Sequence, residues 1–487
     1  MMMSDESIDL PEGWELTNLG ELGEWSSGGT PSRKEPQYYG GDIPWIKTGD
    51  LTDGLIKEIE ETITKEGLAN SSAKVFPVGS LVVAMYGATI GKLGILDQPA
   101  ATNQACAVLK SNEITANLIP YLFYYLQERR EDLRMIGQGG AQPNISQTIL
   151  KEYCCPLPPI AEQKRIVAKI EELRSRTQKA REALEAIPEM CDRFRQSVLA
   201  AAFRGDLTAD WREENPDIES AEVLLKRTAE QLKLNFTEVS QETEVEGSLP
   251  ESWLWTKLKT VVKRIQPGKN FLCPEIPVTE NTVGLVKISA VTWGKFDPQE
   301  TKTVADPMKV DSNLFIKVGD FLISRANTLE LVGASVVVDE IHHKIMLSDK
   351  VWRVDFLEVD KRYVNFYLKS KQGRKQIESR ATGNQLSMRN ISHGAFKDIV
   401  ICFPPLAEQV EVVHRIEKLF AISDCIQQQY EQAKARLEKL DRSILAQAFR
   451  GELVPQDPND EPASVLLDRI REERAKISDR SSTKRKR

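Results

Sequence analysis

A chain of 487 residues is too long for one ordinary hydrophobic core and argues for two to four domains. With 41% hydrophobic residues, mixed charges and no apolar run long enough to cross a bilayer, it reads as a soluble globular protein without a secretion signal. The formal charge of −7 does not exclude a polyanionic partner, because ten acids against three bases between residues 213 and 246 account for all of it and leave the remainder balanced.

After a polar leader, a first globular unit opens at Pro11-Glu12-Gly13-Trp14 and runs to about residue 158. Ile43–Lys47 and Leu81–Met85 are short β-rich runs punctuated by glycine and proline and predict strands; Tyr121–Leu126 predicts a helix. Pro158-Pro159-Ile160-Ala161-Glu162-Gln163 then introduces a long helical run. Its apolar or small residues step by four and three: Ile166, Ile170, Leu173, Thr177, Ala180, Leu184, Ile187, Cys191, Phe194, Val198 and Ala201. This is a heptad seam, about 50 Å long at about 1.5 Å per residue. It closes in Ala202-Phe203-Arg204-Gly205, with Gly205 placed as the left-handed glycine that ends a helix. The acidic stretch that follows predicts a linker with one short helix near Ala221–Leu225.

The chain then repeats itself. Pro250-Glu251-Ser252-Trp253 opens a second unit with strands at Val283–Ile288 and Phe321–Ser324 and a helix at Tyr363–Leu368. Pro404-Pro405-Leu406-Ala407-Glu408-Gln409 introduces a second seam, offset by 246 throughout: Val412, Ile416, Leu419, Ser423, Ile426, Tyr430, Ala433, Leu437, Leu440, Ile444 and Gln447. It closes in Ala448-Phe449-Arg450-Gly451, and a short helix at Ala463–Leu467 echoes the first. The offset is 239 to 240 early in the units, at Pro11/Pro250 and Val78/Val318, and has reached 246 by Asn144/Asn390, where it stays through the helices, so insertions fall inside the globular parts. The boundaries read 11–158, 159–207, 208–249, 250–404, 405–453 and 454–487, the last with a basic Lys484-Arg485-Lys486-Arg487 end that is either a disordered tail or a phosphate contact.

Catalytic signatures are absent. The four histidines and seven scattered cysteines have no metal-ligand spacing, the cysteines suit a reduced cytosol, and neither a phosphate-binding loop nor a dinucleotide fingerprint is present. Asp297, Glu300 and Lys302 are the nearest approach to a nuclease-like cluster, crowded into one proline-containing turn that reads more simply as a solvated loop.

The twice-repeated Pro-Pro-x-Ala-Glu-Gln with a heptad helix ending in Ala-Phe-Arg-Gly, together with Pro11-Glu12-x-Trp14 and Asp210-Trp211-Arg212-x-Glu214-Asn215-Pro216, resembles the DNA-specificity subunits of type I restriction-modification systems over nearly the whole chain. The resemblance implies an α+β fold with two target recognition domains of mixed β-sheet, two long antiparallel helices forming a coiled coil, and an internal pseudo-twofold repeat. It implies that each domain reads one half of a split, asymmetric double-stranded DNA site and that the chain has no cofactor of its own. S-adenosylmethionine is then expected on the modification (methyltransferase) subunits, of which two are expected, and ATP and Mg²⁺ on the restriction/translocase subunit, in a cytoplasmic complex.

Base and phosphate contacts need polar side chains on exposed loops. Candidates in the first unit are Ser32, Arg33, Lys34, Lys47, Thr89, Lys92, Gln138, Gln142 and Asn144; in the second they are Lys269, Asn270, Lys287, Arg325, Asn327, Thr328, Gln385, Arg389 and Asn390. Ordinary solvated surface is the competing reading for each of them singly. The competing reading for the whole chain is a coiled-coil scaffold with protein-binding ends, since polar Thr177, Ser423 and Gln447 leave the seam room for partner helices.

Overall fold

The computed structural model describes residues 10–137, 144–236, 248–276, 278, 282–385 and 388–485. Among its helices, those that position the sites are α1 (Thr115–Glu128), α2 (Ile160–Glu185), α3 (Ile187–Arg204), α4 (Ala221–Gln231), α5 (Lys361–Lys369), α6 (Leu406–Phe449) and α7 (Ala463–Arg485). The chain divides into two compact units: unit 1 combines Met1–Glu185 with Glu431–Arg487, and unit 2 is Ala186–Tyr430.

In unit 1 the strand Leu81–Ala84 lies inside an antiparallel set formed by Trp25–Ser27, Cys106–Leu109, Leu81–Ala84 and Leu93–Leu96, with Gly54–Ile56 added in parallel at the edge. Its alternation explains its uniform apolarity. Leu81 and Val83 face the core beneath α1, while Val82 and Ala84 face a second core shared with Ile46, Leu51 and Phe76. A second, mixed sheet pairs Tyr39–Ile46 in parallel with Ala100–Thr102 and antiparallel with Thr62–Ile63.

Unit 2 repeats this plan. Phe321 and Ile323 face one core with Trp352 and Val354, Leu322 faces another with Val336 and Val351, and Val283–Val286 pairs in parallel with Ile345–Met346 and antiparallel with Thr301–Val304. In both units a first strand pairs with the strand leading to the long helix: Glu15–Asn18 with Cys154–Leu157, and Leu254–Lys257 with Val400–Phe403.

The Pro-Pro-x-Ala-Glu-Gln motif now has a physical reading. Buried Glu162 Oε2 accepts from the Trp14 indole at 3.0 Å, and buried Glu408 Oε2 from the Trp253 indole at 2.8 Å. The neighbouring glutamines fold back on the proline turn, Gln163 Nε2 donating to Pro158 O at 2.8 Å and Gln409 Nε2 to Pro404 O at 3.0 Å. Each carboxylate thus ties the first strand of its unit to the first turn of a helix, where the macrodipole favours negative charge.

The Ala-Phe-Arg-Gly ends are equally specific. In unit 1 the Phe449 ring meets Tyr121 and Tyr125 edge-on, with centroids 5.4 and 5.2 Å away; in unit 2 Phe203 meets Tyr363 and Tyr367 at 5.5 and 5.1 Å. Those tyrosines hold the strand that precedes the long helix, Tyr121 donating to Pro156 O and Tyr363 to Cys402 O. Gly451 and Gly205 are left-handed, at φ +76° and +82°, and a Cβ on them would lie 2.4 Å from Pro11 and 2.5 Å from Pro250. Glycine is therefore required twice over. Beyond them α7 donates Ala463 N to Gly13 O and α4 donates Ala221 N to Ser252 O, each backing the opening turn of its unit. Helix 1's end therefore completes unit 2, and helix 2's end completes unit 1.

Within each unit the helices pair antiparallel. In unit 1 Thr177 Oγ1 donates to Asp441 at 2.9 Å, Arg181 pairs with the same carboxylate, and Ile166 and Ile170 share a core with Ile444 to Phe449. In unit 2 Cys191 meets the Ser423 carbonyl, Arg195 pairs with Asp424 at 2.7 Å, and Val198 to Phe203 share a core with Val412, Val413 and Ile416.

Three expectations need correction. The first seam is two helices rather than one, because Pro188 has no N–H to bond the preceding turn. Phe194, Ile426, Leu440 and Gln447 are exposed, while Leu199, Phe203, Leu445 and Phe449 are buried instead; a helix of 3.6 residues per turn drifts off a seven-residue repeat, and the apolar stripe follows it. The segment read as a linker is built further than expected, with a helix at Ala209–Glu214 and α4 running to Gln231 with Leu224 and Leu225 buried.

Phe449→Ala should destabilise unit 1 and Phe203→Ala unit 2, each by about 3–5 kcal/mol, because an aromatic ring is lost from a packed site; calorimetric melting checks both. Burial raises the Glu162 carboxyl above its ordinary 4.5, against the bonds from Trp14 and Gln456. Its proton is held more tightly folded than unfolded, so its stabilising contribution is complete below 4.5 and is lost as pH climbs through the raised value. Glu162→Gln should therefore gain in melting temperature relative to the native chain between about pH 4 and neutrality, and a flat difference across that range would refute the assignment.

Candidate nucleic-acid interface

Four loops of unit 1 are joined by backbone hydrogen bonds into one rim. Gly29 N donates to Thr102 O at 2.8 Å, Met85 N to Ala105 O at 2.8 Å and Ile145 N to Met85 O at 2.8 Å. Residues 28–34, 103–105, 85–92 and 144–145 are neighbours in consequence. Unit 2 builds the same rim: Lys269 N donates to Leu347 O, Asp349 N to Lys269 O, Arg325 N to Lys350 O at 2.8 Å and Ile391 N to Arg325 O at 3.0 Å. Gly28 and Gly268, 240 residues apart, make the first junction possible. A Cβ would lie 2.0 Å from Thr102 O in one and 2.1 Å from Leu347 O in the other.

The rim gathers most of the sequence-derived candidates. Ser32, Arg33 and Lys34 are exposed on the first loop of unit 1, Thr89 and half-buried Lys92 lie on the third, and exposed Asn144 bridges to Tyr86. Thr89 Oγ1 donates to Tyr86 O at 2.8 Å, which closes that loop on itself. In unit 2, Lys269 and Asn270 are exposed on the first loop, and Arg325 is exposed beside half-buried Asn327 and Thr328. A small sheet pairs Ala326 with Asn390 and Asn327 with Arg389, and Gln385 belongs to its outer strand Thr382–Gln385. Arg389 Nη1 donates to Gly383 O at 2.7 Å, while its Nε and Thr328 Oγ1 are buried with no hydrogen-bond partner. Gln138 and Gln142, and the side chain of Gln385, lie outside the described residues.

Lys47 and Lys287 border the rim, each just past the strand of its unit that pairs in parallel; Asn103 N donates to Ile46 O at 2.9 Å, and Leu285 pairs with Met346. Lys47 Nζ lies 2.7 Å from Glu61 and Lys287 Nζ 3.6 Å from Glu300. Glu61 holds the Lys47 ammonium above its usual range, and Lys47 in turn holds the Glu61 carboxyl low. Lys269 is paired with Asp311 at 3.0 Å and pulls that carboxyl down as well.

Sequence reasoning missed Gln104, which receives the Thr30 hydroxyl, as well as Tyr86 and Lys350 on the rim. Their signal was positional: each follows a strand end that the repeat duplicates. The nuclease-like cluster does not assemble, since Glu300 binds Lys287 and Ser289 while Lys302 binds Glu275 at 2.8 Å. Among the described residues no group of three or more histidines, cysteines or carboxylates is placed to hold a metal ion. No helix among them is long and apolar enough to cross a membrane.

Residues 11–188 match the model of the type I restriction modification DNA specificity domain. The chain is 27% identical to the EcoKI type I restriction enzyme specificity subunit of Escherichia coli K12, covering 98% of this chain and 99% of that one. It is 25% identical to the StySPI specificity subunit of Salmonella potsdam, covering 98% of each. The fold matches the HsdS subunit of Thermoanaerobacter tengcongensis with a TM-score of 0.54 at 18% identity, over 93% of this chain and all of that one. Over nearly its whole length the chain is thus similar to type I restriction enzyme specificity subunits, with a matching domain over the first recognition unit and helix α2 and a fold like that of a solved HsdS subunit.

Proposed function

We propose that the chain reads a split, asymmetric double-stranded DNA site, with the rim of unit 1 on one half and the rim of unit 2 on the other, and directs methylation and restriction carried out by partner subunits. The observation that carries this reading is the duplicated rim. Two sets of four loops are joined by corresponding backbone bonds, and each presents a different selection of Arg, Lys, Asn and Thr side chains. Such groups read base edges and phosphates. Because the sets differ, the half-sites should differ.

The recognition domains are taken as 11–158 and 250–404, and the partners as two modification subunits that supply S-adenosylmethionine and a restriction subunit that supplies ATP and Mg²⁺, in the cytoplasm. Exposed apolar residues on the helices of unit 2, Phe194, Ile422 and Ile426, suit docking of partner helices and absorb the scaffold reading into this one.

Replacing residues 11–158 by the corresponding unit of a relative should change one half-site and leave the other, read out by sequencing methylated sites; a change in both halves, or in neither, rejects the assignment of one reader to each unit. Gly28→Val and Gly268→Val should each push the first rim loop off its neighbour and weaken specific duplex binding by tenfold or more, measured by anisotropy titration.

A further inference from the structure

Two carboxylates are placed where the proposed interface needs positive charge. Glu61 lies just before the strand Thr62–Ile63, with its carbonyl accepting from Trp45 N at 2.9 Å; Glu300 lies just before Thr301–Val304, with its carbonyl accepting from Lys287 N at 3.0 Å. Each therefore sits beside the end of the parallel-pairing strand and meets the lysine that follows it. Lys47 and Lys287 are 240 residues apart and Glu61 and Glu300 are 239 apart, so the pair belongs to the duplicated plan.

In unit 1 the arrangement is elaborated. Arg33 Nη2 and Lys47 Nζ each approach a different oxygen of Glu61, both at 2.7 Å. The Arg33 guanidinium lies 4.3 Å from the centroid of Tyr39 and 5.1 Å from that of Trp45. Those rings are fixed to the first rim loop, Tyr39 Oη donating to Pro31 O at 2.6 Å and Trp45 Nε1 to Gly29 O at 2.9 Å. The arginine thus keeps a stacked support that does not depend on Glu61. In unit 2 Glu300 takes the Ser289 hydroxyl at 2.5 Å as well as Lys287. In unit 2 both donors meet Oε2 of Glu300, whereas the unit 1 pair, one on each oxygen of Glu61, is also a donor set for two non-bridging oxygens of a phosphate. The Glu61 side chain retains 30% exposure, so it is open to exchange.

We propose that Glu61 and Glu300 occupy, in the free protein, the positions taken by two DNA phosphates in the complex, and so act as built-in competitors that suppress binding to duplex lacking the target sequence. The proposal rests on the reading of both units as DNA readers. A phosphate entering either site must expel a carboxylate from its lysine. That cost falls on target and non-target duplex alike; base contacts available only on the target offset it, whereas non-target duplex, held by charge alone, is left with little net binding.

The test is anisotropy titration of the full chain against a non-target duplex over about 50 to 300 mM salt. Glu61→Gln and Glu300→Gln keep hydrogen-bonding side chains and remove the charge. Each should bind non-target duplex about three- to tenfold more tightly at low salt, and should steepen the slope of log K against log salt by about one, because an expelled carboxylate no longer takes up a cation. Wild-type slope and affinity in both variants, or weaker binding in either, would show these to be structural ion pairs and overturn the proposal. If one variant fails to fold, the other, in a separate unit, carries the same comparison. Failure of the underlying reading looks different: the wild-type chain would show no salt-dependent duplex binding, and Arg33→Ala and Lys47→Ala would change nothing.

Discussion

A buried carboxylate in the first turn of each long helix is the interaction on which the architecture depends. Glu162 and Glu408, 1% and 0% exposed, accept from the indoles of Trp14 and Trp253 and so fix where each helix leaves its unit. Burying a carboxylate is costly unless its lone pairs are met, and the two units meet them differently. Around Glu408, Thr208 donates at 2.7 Å and the Arg212 guanidinium at 2.7 Å, giving a charge-compensated cluster. Around Glu162 the second donor is the neutral Gln456 amide at 3.2 Å, and the nearest ion pair, Arg165 with Asp460 at 2.6 Å, is spent on another acid. The same motif is therefore electrostatically complete in unit 2 and under-compensated in unit 1, which is why burial raises the Glu162 carboxyl. The donors in both cases come from the segment after the other helix's glycine cap, so these segments complete the carboxylate shells as well as the apolar cores.

Much of this was legible in the sequence because it is local or periodic. The helix starts at Ile160 and Leu406, the glycine caps and the duplicated strands all follow from short patterns and a constant offset. The exchange of helix ends between units was not legible. Phe449 meets Tyr121 across more than three hundred residues, and no periodicity within either helix announces its partner. The seam shows the converse failure. A strict heptad count placed Gln447 inside, yet the structure buries Phe449, because at the helix ends the stripe widens to face a domain and not only the neighbouring helix.

The site divides along the same line. Candidate side chains could be chosen by chemistry, but their grouping into a rim rests on backbone bonds between loops tens of residues apart. Glu61 carries no signal by side-chain chemistry alone, because cationic and amide groups bind DNA and an isolated acid does not. The repeat carried the missing signal, since a Lys followed by a Glu 13 or 14 residues later recurs at Lys47 and Glu61 and at Lys287 and Glu300.

Paired acids of this kind bear on how a chain with net charge −7 can bind DNA as proposed. Charge summed over the molecule says little, since ten acids lie in one segment and salt screens beyond about 10 Å. What acts on a duplex is the state of each cation within a few ångströms of its phosphates. Here Arg33, Lys47, Lys269 and Lys287 all carry carboxylate partners, whereas Arg389 bonds a carbonyl and Arg325 stands exposed on the rim. Partly exposed pairs of this kind contribute little to folding, about 0–1 kcal/mol each, so stability alone is a weak reason to keep them. A weak pair is nevertheless well suited to exchange, because the free energy that separates its closed and open states is comparable to one good contact with DNA. A surface neutralised in this way lowers sequence-independent attraction while leaving its cations correctly positioned, and the balance of binding shifts from charge toward the base-reading side chains of the rim.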